Sequence, residues 1–120
     1  MILLPTLNES QNIEKVILNI RKVIPDEDIV VVDGLSNDGT ADIAKKLGVK
    51  VILEPKKGKG HAVKKAFEEL DSEYIIMLDA DLTYPVEKIP KIIEELKNND
   101  VVMGSRFLGI REKGAMPLIT

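Results

Sequence analysis

A chain of 120 residues with 44% hydrophobic and 31% charged residues has the size and make-up of one soluble globular domain, 1–120. A net charge of −3 offers no field for nucleic acid, so neither DNA nor RNA is expected as a partner, and the lack of cysteine excludes disulfides and thiolate metal centres. No apolar run approaches the roughly 20 residues of a membrane helix and no signal-peptide pattern is present, which together with the absent cysteine suits a cytoplasmic protein.

Strand and helix patterns alternate with little slack. Ile2-Leu3-Leu4 predicts a first strand clipped to about three residues before the turn Pro5-Thr6-Leu7-Asn8-Glu9. Ile13, Val16, Ile17, Ile20, Val23 and Ile24 then recur at helical spacing. Asn8 with Gln11 reads as a capping box and Pro25-Asp26 as the stop. Ile29-Val30-Val31-Val32 is a continuous β-branched run, as expected of a strand covered on both faces, and it ends in Asp33-Gly34. The polar turn Ser36-Asn37-Asp38-Gly39-Thr40 feeds a helix through Ile43, Ala44 and Leu47 that closes at Gly48, and Val49 to Leu53 make a third strand. A basic glycine-rich loop, Pro55 to Gly60, opens a helix whose apolar face is Ala62, Val63, Ala66, Phe67 and Leu70. Tyr74 to Leu78 form a fourth strand, Val86, Ile89, Ile92, Ile93 and Leu96 a helix, and Val101 to Met103 a fifth strand before Gly104-Ser105-Arg106. Met77 and Met103 read as core. There is no internal repeat and no linker.

Repeated strand-helix-strand units predict a parallel, doubly wound α/β sheet with helices on both faces, whose polar loops gather at one edge. Ligands bind such sheets beyond the carboxyl ends of the strands, where Asp79-Ala80-Asp81 follows the fourth strand. Two neighbouring carboxylates repel unless a cation or proton lies between them, and hard oxygen ligands suit Mg2+ or Mn2+ carrying phosphate oxygens. Taken alone, the tripeptide also fits two solvated acids capping the helix at Pro85. Asp33 ends a buried strand, where a carboxylate can accept hydrogen bonds from a base or ribose, while Ser36, Asn37 and Gly39 read as turn formers. Lys57 and Lys59 beside glycines at a helix start fit either a solvated basic turn or a diphosphate cradle, and the spacing is not that of a P-loop. His61, the only histidine, reads as lining that helix start rather than as a general base.

Five motifs in order, Pro5-Thr6-Leu7-Asn8-Glu9, Val32 to Thr40, Gly58 to Ala62, Leu78-Asp79-Ala80-Asp81 and Gly104-Ser105-Arg106-Phe107, resemble the family 2 glycosyltransferases. The match is strongest with the branch of dolichol-phosphate mannose synthase and related polyprenyl-phosphate sugar transferases. It implies a Rossmann-like three-layer sandwich of the nucleotide-diphospho-sugar transferase type, mostly parallel and incomplete at the C-terminus. It also implies a Mg2+ or Mn2+ ion held by Asp79 and Asp81 on the donor diphosphate, with Asp81 the firmer ligand. By the same resemblance Pro5, Thr6, Glu9, Asp33 and Ala80 line the nucleotide-sugar pocket with Asp79 and Asp81, Lys59 lies near the diphosphate, and Arg106 faces the acceptor phosphate. The catalytic pair is then Asp81 and Arg106.

The implied partners are a nucleotide-diphospho-sugar, GDP- or UDP-linked, and a polyprenyl-phosphate acceptor met at the cytoplasmic membrane face. Two departures stand out. Asp33-Gly34 replaces the two consecutive aspartates of many members, and Thr83 stands where mannose synthases often carry a glutamine that completes the metal shell. The alternatives are a donor-binding module that needs a partner chain, homo-oligomeric or otherwise, and a sugar-phosphate nucleotidyltransferase, whose basic glycine loop normally follows the first strand rather than the third.

Overall fold

The computed structural model describes residues 1–56, 59–70, 72–104 and 106–111, with the side chain of Lys59 left aside. Lys57, Gly58 and Ser105 therefore lie outside the described residues, and Lys59 contributes only its place at the start of a helix. Among the described residues, six strands form one sheet, β1 (Ile2–Thr6), β2 (Ile29–Asp33), β3 (Lys50–Leu53), β4 (Ile75–Leu78), β5 (Val101–Met103) and β6 (Phe107–Ile110). Four helices connect them, α1 (Ile13–Val23), α2 (Thr40–Lys46), α3 (Lys59–Glu69) and α4 (Ile89–Leu96), the last entered through a 3-10 turn at Val86–Lys88.

The period-2 alternation of the central strands divides the interior into two cores. Ile2, Leu4, Val31, Ile76 and Leu78 point to one face, where Ile13, Val16, Ile17 and Ile20 of α1, Ala44 of α2, and Ile89, Ile92 and Leu96 of α4 cover them. Leu3, Val30, Val32, Ile52 and Met77 point to the other, under Ala62, Val63, Ala66 and Phe67 of α3. This is the three-layer arrangement expected of a strand such as β2, buried at all five positions. Each fully buried Ile or Leu contributes about 1.5–3 kcal/mol of transfer free energy. Such a strand is therefore stable only with a helix on each side.

The strand order is β3-β2-β1-β4-β6-β5. From β1 the chain steps outward to β2 and β3 through α1 and α2 on one face. It then returns over the opposite face through α3 to place β4 on the other flank of β1. β1, β2, β3 and β4 are mutually parallel. The direction of winding thus reverses between β1 and β4, which opens a crevice beyond their carboxyl ends.

Three expectations are corrected. β1 is not clipped before Pro5 but runs through Thr6. The Ile2 amide donates to Asp28 and the Thr6 carbonyl accepts from Gly34, so alternate residues of β1 bond to β2 and Pro5 turns its nitrogen away from that partner. Pairing of β1 with β4 stops at Leu3–Met77, so Pro5 deprives no ladder of a donor. Asn8 does not cap α1: the N-cap is Asn12, without a side-chain cap, and Asn8 instead bridges two loops. Met103 is 68% exposed rather than core, because β5 is an edge strand.

β6 went unanticipated. It is antiparallel to both β4 and β5 and wedges between them. Its four residues include Gly109, whose missing side chain lets Leu96 of α4 approach to 3.0 Å of where a Cβ would stand. The β5–β6 turn is closed by the Gly104 amide donating to the Phe107 carbonyl at 3.1 Å. A Cβ on Gly104 would lie only 2.3 Å from the Phe107 ring. Gly104→Ala is therefore expected to destabilise the protein by about 1–3 kcal/mol through overpacking of the turn, read as a lower urea midpoint at unchanged slope. A midpoint equal to the wild type would show that the ring moves aside freely.

Candidate functional site

The carboxyl ends of β2, β1 and β4 stand side by side, and the loops that follow them meet there. Asp33, the last residue of β2, is 1% exposed and pairs in register with Thr6 of β1. The Thr6 hydroxyl donates to Asp33 Oδ1 at 2.7 Å, the Ser36 hydroxyl donates to the same oxygen at 2.6 Å, and the Ser36 amide donates to Oδ2 at 2.8 Å. The carboxylate is thus tied to β1 and to its own loop. Gly34 has no positive φ, and a Cβ there would find ordinary contacts with the Thr6 and Glu54 carbonyls at 3.5 and 4.0 Å.

Around this anchor the loops after β1 and β2 are laced together. The Asn8 amide donates to Ser36 Oγ, the Asn37 amide to Asn8 Oδ1, the Glu9 amide to Thr40 Oγ1 and the Ser10 amide to Asp38 Oδ2, all at 2.8–3.0 Å. Asp38 also accepts from the Thr40 amide and hydroxyl, and Thr40 is fully buried. The Thr40 hydroxyl, followed by bonds from Ser10, outweighs the slight opposing effect of burial and lowers the Asp38 pKa from 3.8 to about 2. Glu9 accepts from the Asn12 side chain at 3.2 Å through Oε2.

At the end of β4, Ala80 is buried in the core at 3% exposure, so the chain presents the flanking Asp79 and Asp81 outward and only its own main chain to a ligand. The 3-10 turn that follows has Pro85 at its N-cap, a residue with no side-chain cap to offer. Asp81 Oδ1 accepts from the Thr83 amide at 3.1 Å and from the Thr83 hydroxyl, while Oδ2 faces Arg106 Nη1 at 3.9 Å. Arg106 Nη1 in turn donates to Thr83 Oγ1 at 2.7 Å. The Asp81 pKa is lowered, first by the Thr83 hydroxyl and more weakly by the Arg106 charge. Tyr84 meets Phe107 edge to face, with centroids 5.5 Å apart and planes at 63°, so an aromatic pair fastens the Asp79–Tyr84 loop to the turn that carries Arg106.

Each of these loops holds one residue other than glycine at positive φ, Asn8 at 55°, Leu35 at 64° and Leu82 at 66°. The left-handed region costs an ordinary L residue about 1–2 kcal/mol, and such strain concentrates at functional sites. Leu35 and Leu82 are moreover exposed on this rim. Sequence reading missed these two leucines because nothing in their type suggests φ > 0. It also missed the tie from Thr83 to Arg106, which depends on the unanticipated β6. The Asp38–Thr40 spacing was the one available signal for the bond between those two residues.

A cavity of about 110 Å³ lies beneath the rim, lined by Asp79, Leu82, Tyr84 and Pro85 together with Val16 and Asn19 of α1. One of about 470 Å³ opens at the opposite edge near Met1, Ile29 and Val49, away from every predicted site residue. His61 is exposed and lines a third hollow with Glu54, Lys56, Lys64, Lys65 and Glu68. Among the described residues no group of three His, Asp or Glu side chains could cage a metal. Mg2+ is commonly held by one or two protein carboxylates, its shell completed by phosphate oxygens and water. Asp79 and Asp81 stand at the switch point, and the ionised form of Asp81 is favoured.

A family model described as Glycosyl transferase family 2 matches residues 1–120. The chain belongs to this family. Protein RfbJ of Shigella flexneri is 37% identical over 107 residues, a span covering 88% of this chain and 83% of that protein. Dolichol-phosphate mannosyltransferase of Pyrococcus furiosus is 39% identical over 115 residues, 89% of this chain and 33% of its own length. Glycosyltransferase AglJ of Haloferax volcanii is 39% identical over 120 residues, 96% of this chain and 38% of its own length. The chain therefore spans well under half of these two archaeal relatives.

Among solved structures, a mannosyltransferase from Pyrobaculum calidifontis in complex with GDP-Man and Mn2+ superposes with a TM-score of 0.77 at 19% identity, over 92% of this chain and 43% of that one. Glucosyl-3-phosphoglycerate synthase from Mycobacterium tuberculosis, in complex with Mn2+, UDP and glucosyl-3-phosphoglycerate, gives a TM-score of 0.69 at 26% identity, over 82% of this chain and 39% of that one. The fold is that of the nucleotide-sugar transferases.

The family chain's loop lacing carries a pH signature. Because the Asp38 pKa falls from 3.8 to about 2, its contribution to stability is present above the unfolded value and is lost as pH drops through about 2. Asp38→Asn should lower the melting temperature at pH 7, since one amide group then opposes the Ser10 amide. The gap to wild type should close between about pH 4 and pH 2, followed by circular dichroism. A gap that stays constant down to pH 2 would refute the assignment.

Proposed function

We propose that this family 2 chain is the donor-binding part of a glycosyltransferase that moves a hexose from a GDP- or UDP-linked sugar to an acceptor, with a polyprenyl phosphate as the acceptor class. The observation that carries this reading is the convergence at one crevice of Asp79 and Asp81, the Thr6–Asp33 anchor and the Arg106 guanidinium. Pro5, Thr6, Glu9 and Asp33 form the nucleoside side. Asp33 there orients Thr6 and Ser36, so that base recognition falls to the main chain of the loops and to the oxygen lone pairs these bonds leave open. Lys59 opens α3, whose N-terminus faces a diphosphate.

A divalent ion bound at Asp79 and Asp81 would supply neutralisation of the diphosphate as it leaves. The Thr83 hydroxyl favours the ionised form of Asp81. Arg106, at 49% side-chain exposure, can bind a phosphate bidentately. A phosphate acceptor is already an anion and needs positioning rather than a general base, whereas an alcohol would need a carboxylate base. None of the described helices is long and apolar enough to cross a membrane. A lipid-linked acceptor would be met at the cytoplasmic membrane face.

A second reading is a donor-binding module completed by a partner chain. Turnover of a nucleotide sugar by the chain alone would exclude it. The family match favours sugar transfer over the nucleotidyltransferase alternative.

A thermal-shift panel of GDP- and UDP-sugars with and without Mn2+ tests the donor site. A bound nucleotide at a hundredfold excess over Kd adds about 2.7 kcal/mol, a rise of several degrees. The Mn2+-dependent part of that rise should vanish in Asp81→Ala. The absence of any Mn2+-dependent shift in the wild type would overturn the reading.

A further inference from the structure

The Arg106–Thr83–Asp81 contacts link what the proposed function treats as separate parts. Thr83 Oγ1 gives its proton to Asp81 Oδ1 and accepts from Arg106 Nη1. The same guanidinium nitrogen stands 3.9 Å from Asp81 Oδ2. Arg106 thereby occupies the approach to the carboxylate oxygen that Thr83 leaves open. A divalent ion binds a carboxylate oxygen at about 2 Å. Placed on Oδ2, it would stand within about 6 Å of that guanidinium nitrogen, where two half-exposed cations repel modestly.

Arg106 sits in the turn between β5 and β6, half exposed, and Thr83 is exposed beside it. The pair can therefore separate without unpacking a core. The Tyr84–Phe107 contact keeps the turn close while the guanidinium moves.

We propose that Thr83 is a latch: it holds Arg106 against Asp81 while the carboxylate carries no metal, and a divalent ion arriving with the donor displaces Arg106 and frees it for the acceptor anion. Thr83 is a positioning residue in this scheme, acting through Arg106. Metal and donor then bind before the acceptor, and the acceptor-binding cation is withheld from stray anions until a donor is in place. A hydroxyl can both donate to Asp81 and accept from Arg106 through one atom.

The inference rests on the proposed donor site, and Mn2+ affinity, read by electron paramagnetic resonance with whichever nucleotide stabilises the wild type, separates the two. If the latch competes with metal, Arg106→Gln should bind Mn2+ about two- to five-fold more tightly than wild type, the span of an exposed ion pair. Thr83→Val keeps the Arg106 charge and the side-chain shape but removes the relay, and should tighten Mn2+ as well. The double variant should gain no more than the larger single effect, as expected for residues acting through one contact. Unchanged or weaker Mn2+ binding in Thr83→Val would overturn the latch, leaving Arg106 as a general repulsive charge or Thr83 as a direct ligand. Failure of the wild type to bind Mn2+ with any nucleotide would overturn the donor site itself.

Discussion

The arrangement depends above all on the central position of β1, with β2 on one flank and β4 on the other. A chain that winds outward from β1 and then returns across the opposite face must leave a crevice where the direction reverses. The apolar strands enforce this path, because β1, β2 and β4 are buried on both faces and each needs helices above and below. Once the strands are seated, the loops carrying Pro5 to Glu9, Asp33 to Thr40 and Asp79 to Tyr84 have one edge to occupy. Residues far apart in sequence, such as Thr6 and Asp33, then come within hydrogen-bond distance.

A second regularity concerns the carboxylates at that edge. Asp33, Asp38 and Asp81 are each held by a hydroxyl two or three residues further on, from Ser36, Thr40 and Thr83. A hydrogen bond donated by a nearby Ser or Thr to an Asp closes the loop locally, and at Asp38 and Asp81 it also lowers the pKa of the acid. The three acids nevertheless end in different circumstances. Asp33 is buried and committed to β1, Asp38 is exposed and stitches two loops, and Asp81 keeps one oxygen toward Arg106. The same local chemistry thus serves a buried anchor, a clasp between loops and an acid beside a guanidinium, according to burial and neighbours.

Much of this was legible from residue types. The β-branched run of β2 announced a doubly covered strand, Gly48 with φ of 79° closes α2 as its position suggested, and Asp79-Ala80-Asp81 stands at the end of β4 with Ala80 inward. β6 escaped because four residues containing a glycine show no period of their own, and its place depends on pairing with β4 and β5 at once. The capping role assigned to Asn8 failed because the Ser36 hydroxyl and the Asn37 amide, nearly thirty residues away, compete for its backbone and side chain.

The sequence by itself determined the layers, the parallel core, the acids at the strand ends and membership in a recognisable family, since hydrophobic period and short motifs are local properties. Only the tertiary structure decided what those acids touch. Burial commits Asp33 to Thr6 and Ser36, and the insertion of β6 beside β4 delivers Arg106 to Thr83 across 23 residues of chain. Contacts of that kind arise from which strands become neighbours, and neighbourhood in a sheet is set by the collective packing of both faces rather than by any segment alone.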